Sequence, residues 1–73
     1  MEMNYMELVN ELVYEIEDAY NNGDIKNSFE FDCFVYDFVD LNRLKILNTT
    51  SVEQFIVAIL QNNNLIEIID ELE

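Results

Sequence analysis

"SFEFDCFVYDFVDL", residues 28–41, decides whether this chain is all-helical or carries a strand. Its first half alternates. Phe29, Phe31 and Cys33 fall on one side of a pleat, with Glu30 and Asp32 on the other, which is the period of a strand. Its second half does not, because the doublets Phe34–Val35 and Phe38–Val39 break the pattern. Phe31, Phe34, Val35, Phe38 and Leu41 instead recur three and four residues apart, as one helix face does. A helix from Asn27 to about residue 42 satisfies the whole stretch, and a short strand near 28–33 is the alternative for part of it. Asn27 followed by Glu30 also fits a capping box, with Asn in place of Ser or Thr.

On the N-terminal side, residues 3–21 place Tyr5, Leu8, Val9, Leu12, Val13, Ile16, Ala19 and Tyr20 on one helical arc. The opposite arc holds Glu7, Asn10, Glu11, Tyr14, Glu15, Glu17 and Asp18, so the helix is amphipathic. "NNGD" at 21–24 ends it, with Gly23 near the position that favours a left-handed residue. On the C-terminal side, "TTS" opens a third segment. There Ser51 and Gln54 form a cap, and Val52, Phe55, Ile56, Ile59 and Leu60 form a stripe. With only Glu53 charged, this segment is expected to be the most enclosed. "QNNN" breaks it, and Asn64 with Glu67 is expected to open a last helix containing Leu65, Ile68, Ile69 and Leu72. The expectation is an all-α, compact bundle of three or four short helices, one domain over residues 1–73.

The charge balance narrows the partners. Sixteen acids face only Lys26, Arg43 and Lys45, for a net charge of −13. Nucleic acid and anionic membrane are polyanions and are excluded as direct ligands, so a basic protein is the expected partner. Ten Asn and eight Ile suggest an AT-rich coding sequence, which should also have enriched lysine. The scarcity of lysine runs against that background. Nine Phe and Tyr residues separate the chain from disordered acidic tails. One cysteine, Cys33, allows no internal disulfide, and the N-terminus has neither the basic region nor the apolar run of a signal peptide. A cytoplasmic location in a host cell is expected.

Little in the sequence supports catalysis. Histidine is absent, one glycine cannot build a phosphate loop, and Cys33 has no basic partner within a helical turn. No enzyme activity, cofactor or metal is expected. "DAYNNGDIKNSFE", from Asp18, resembles an EF-hand loop at Asp18, Asn22, Gly23 and Ile25. It departs at Tyr20, and Phe29 stands where the bidentate Glu belongs. Asn27-Ser28-Phe29 and "TTSVEQFIVAIL" loosely resemble the acyl carrier proteins, but both residues flanking the serine depart from that family's Asp-Ser-Leu pattern.

The acids themselves are patterned. Glu7, Glu11, Glu15 and Asp18 fall four, four and three residues apart, so they form a stripe with about 6 Å between carboxylates along the helix axis. That step is close to the phosphate spacing of one nucleic-acid strand. In segment two, Glu30, Asp32, Asp37 and Asp40 are expected on the face opposite the phenylalanines. Tyr14 stands between Glu11 and Asp18, and Tyr36 has Asp32 and Asp40 four residues to either side. A tyrosine framed by carboxylates can stack on an incoming guanidinium while the acids pair with it.

In size, charge and carboxylate spacing the chain resembles the small acidic inhibitors of phages and mobile elements: anti-CRISPR proteins, restriction inhibitors and uracil-DNA glycosylase inhibitors. The resemblance contains no diagnostic motif. It implies a stoichiometric inhibitor that imitates nucleic acid in the basic groove of a nucleic-acid-binding enzyme or CRISPR effector. The alternative is an acidic adaptor or regulatory module for another basic protein, and after it a carrier protein.

Overall fold

In the computed structural model, residues 4–72 are described. They form five helices: α1 Tyr5–Asn21, α2 Ser28–Leu41, α3 Arg43–Leu47, α4 Val52–Leu60 and α5 Asn63–Leu72. Among the described residues there is no strand. The short α3 was not among the three or four helices expected. Met3, where the first segment was expected to begin, lies outside the described residues.

The stretch 28–41 is helical for a reason that shows in its packing. Phe31, Val35, Phe38 and Val39 are buried, at spacings of four, three and one. A strand would have put Phe29 on the same side as Phe31, yet Phe29 is 73% exposed and Phe31 3%. Asn27 caps the helix by accepting the Glu30 amide at 2.8 Å. The Glu30 carboxylate reaches back to the Lys26 amide at 2.9 Å, one residue earlier than in the usual box.

α1 is the centre of the bundle and packs against α2, α4 and α5. Its apolar arc is enclosed as expected: Leu8, Val9, Leu12, Val13, Ile16 and Ala19 are buried, and Tyr5 and Tyr20 pack at the rim. Asn4 caps its start, accepting the Glu7 amide at 2.9 Å. Its end is a Schellman turn. Asp24 donates to the Ala19 carbonyl at 2.8 Å and Gly23 to that of Tyr20 at 3.1 Å, with Gly23 at φ 81°. The turn carries Ile25 into the core, where it is 3% exposed.

Three expectations are corrected. α4 is not the most enclosed element: Phe55 and Ile59 are buried, but Val57 and Leu60 are nearly half exposed. Its position at one side of α1, touching α3 and α5 as well, leaves an outer face uncovered. The last helix is opened by Asn62, whose side chain accepts the Asn64 amide at 2.9 Å, not by Asn64. Leu41, assigned to the core stripe of segment two, is 86% exposed. The chain bends at Asn42, whose side chain donates to the Phe38 carbonyl at 3.0 Å, and the short α3 then buries Ile46 instead.

Candidate functional site

Capping and amphipathicity turn the α1 acids outward. At about 100° per residue, the stripe of Glu7, Glu11, Glu15 and Asp18 spans an arc of about 80°, opposite the buried arc. All four are exposed, and Tyr14, at the edge of that arc, is 72% exposed. Their side-chain hydrogen bonds are few and local. Glu7 accepts from Asn4 at 3.4 Å and Asp18 from Asn22 at 3.5 Å. Neither contact ties α1 to another helix.

α2 presents its acids differently from the expected shared face. Phe29, Cys33, Tyr36 and Asp40 project as one outer row, so a phenylalanine lies among them. Asp37 and Glu30 turn to one flank. Asp32 turns to the other, where it lines a groove with Ser28, Phe31, Leu60, Ile69 and Leu72. Glu30 is half-buried and committed to the cap. Asp32, Asp37 and Asp40 are exposed, as is Tyr36 at 57%. Among the described residues, no side-chain hydrogen bond engages a lysine or arginine side chain.

A second acidic surface was missed in the sequence. Glu17, Glu67 and Glu71 line an open groove of about 490 Å³ between α1 and α5, together with Tyr20, Asn21, Asn64 and Ile68. The Tyr20 hydroxyl donates to the Glu71 carboxylate across it. That hydrogen bond, then partial burial and the Glu71 charge, hold the Tyr20 phenol above its ordinary 10.0. Glu17 stood on the polar arc of α1, and only the docking of α5 shows which acids it meets.

Among the described residues, no three His, Cys, Asp or Glu side chains gather closely enough to hold a metal ion. No helix among them is long and apolar enough to cross a membrane. Cys33 is an exposed free thiol. Compared with known protein families, curated proteins and solved structures, the chain finds no match.

Proposed function

We propose that this protein is a stoichiometric inhibitor that presents nucleic-acid-like carboxylate faces to the basic groove of a DNA- or RNA-processing enzyme, of the anti-CRISPR or anti-restriction type. One observation carries the reading. Glu7, Glu11, Glu15 and Asp18 form an exposed row along α1 beside an open tyrosine, and among the described residues none of them is held by a lysine or arginine. Like charges at this spacing cost a helix about 0.2–0.5 kcal/mol per pair. A surface needed only for solubility would avoid that cost by mixing signs.

In this reading the α1 row pairs with arginines and lysines that otherwise hold phosphates. Tyr14 stacks on a guanidinium near the middle of the contact. Asp37, Asp40 and Tyr36 of α2 extend the face, while Glu30 and Asp32 contribute less because one is a cap and the other faces a groove. Encounter is steered by the −13 charge and is therefore fast and salt-sensitive.

The test is capture of the partner from a bacterial lysate at low salt, elution with a salt gradient, and competition with that enzyme's own DNA or RNA. Displacement of the nucleic acid at one inhibitor per enzyme is the expected result. A ternary complex of enzyme, nucleic acid and this protein would favour the adaptor reading instead.

A further inference from the structure

Asn22 and Gly23 stand in the turn that ends α1, and no other asparagine of the chain is followed by glycine. Both residues are exposed, and a Cβ built on Gly23 meets nothing within 4 Å, so the space beside their peptide bond is open. Gly23 has no side chain to shield its own amide nitrogen. The Asn22 side-chain amide donates to Asp18 at 3.5 Å, the long limit of a hydrogen bond, so it is held loosely.

We propose that Asn22 is a site of spontaneous covalent modification, a deamidation gated by opening of the last turn of α1. The Gly23 amide nitrogen gives up its proton to solvent base and attacks Asn22 Cγ. The N–Cγ bond forms, the Cγ–Nδ2 bond breaks, and ammonia leaves with a proton taken from water. Water then adds to either carbonyl of the five-membered imide ring. One opening gives aspartate; the other gives isoaspartate, whose main chain runs through Cβ and Cγ. The balance is amide plus water to carboxylate plus ammonium, with no change of oxidation state.

The folded turn restrains this reaction in two ways. The ring needs the Gly23 nitrogen eclipsed with Asn22 Cβ about the Cα–C bond. The Asn22 ψ of −3° instead eclipses it with the backbone nitrogen of Asn22 itself. The attacking N–H is also engaged, donating to the Tyr20 carbonyl at 3.1 Å, while Asp24 donates to that of Ala19 at 2.8 Å. Helix ends open at far lower free energy than the core, so the frayed turn is the reactive form. Asn27, followed by the small Ser28, is tied more firmly, because its side chain accepts the Glu30 amide at 2.8 Å.

Conversion weakens the end of α1. It places a carboxylate four residues beyond Asp18 and at the negative end of the helix dipole, both unfavourable. Isoaspartate also adds an atom to the main chain inside the turn. The inference goes beyond the inhibitor reading and does not rest on it, because the reaction needs no partner.

Prolonged incubation of the folded full chain in mildly alkaline buffer, beside a sample unfolded in guanidinium chloride, tests it by peptide mapping in a mass spectrometer. Asn22 should convert first among the asparagines of both samples, giving isoaspartate as well as aspartate. The folded chain should react at least about tenfold more slowly. In the unfolded sample Gly23→Ala should slow conversion at Asn22 at least about tenfold, because a Cβ crowds the attacking nitrogen. Asn22→Asp, which carries the product's charge, should melt below the wild type. Faster conversion at another asparagine of the folded chain would overturn the proposal, as would aspartate without isoaspartate. So would equal rates with and without denaturant, or an Asn22→Asp chain that melts no lower than the wild type.

Discussion

The rings of Phe38 and Phe55 lie parallel, 4° apart in plane with centroids 6.0 Å apart, and join α2 to α4 in the core. Phe55 is fully enclosed and Phe38 nearly so. Removing the Phe55 ring leaves a cavity where the two helices meet, so Phe55→Ala should cost about 3–5 kcal/mol. For so small a core that is most of the stability. Urea unfolding followed by circular dichroism should show a largely unfolded variant in water, whereas Phe55→Leu should stay folded with a lower midpoint.

Gly23 isolates a backbone effect from a steric one. Its φ of 81° lies in the left-handed region, yet a Cβ built there meets nothing within 4 Å. Gly23→Ala should therefore destabilise by about 1 kcal/mol through conformation alone. Gly23→Asn should recover part of the loss, because Asn tolerates this region better. Thermal melts of the three chains check the order.

The Tyr20–Glu71 hydrogen bond predicts a response to alkali. The folded phenol is held above 10.0, so its proton is bound more tightly in the native state than in the unfolded chain. The resulting stability is fully present below pH 10 and is lost as pH rises through the raised value. Tyr20→Phe lacks the ionisable group, so its melting temperature should decline less between neutral pH and pH 11 than that of the wild type. Identical declines would show that the contact between α1 and α5 does not hold the proton.

The α1 row should be dispensable for folding and needed for binding. Glu11→Gln with Glu15→Gln relieves like-charge repulsion, so stability should stay within about 0.5 kcal/mol of wild type or rise. Affinity for the captured enzyme should fall, together with the slope of its salt dependence. Glu7 is left out of this pair because it sits in the first turn, where a negative charge favours the helix. A loss of stability with unaltered binding would make the row structural.

Added salt should raise the melting temperature of the isolated protein. Among the described residues its carboxylates accept no hydrogen bond from a lysine or arginine side chain, so screening mainly removes repulsion. A melting temperature that falls with sodium chloride would point to favourable charge contacts instead.

Four of the five helices, the caps of α2 and α4 and the outward stripe of α1 were legible in the sequence because each depends on residues three or four apart. Asn27 and Ser51 each cap the amide three residues on, and the apolar arc of α1 is buried as its spacing predicts. What depended on which helix meets which was not legible. Leu41 and Leu60 fit their stripes but have no helix laid over them, while Ile25 and Ile46, in stretches with no periodicity, are drawn into the core. The same holds for the acids. The groove of Glu17, Glu67 and Glu71 exists only because α5 docks beside α1, and Glu30 left the candidate face because its carboxylate caps α2. Local spacing fixes which way a side chain leaves its own helix, and only packing decides whether it finds solvent or a neighbour there.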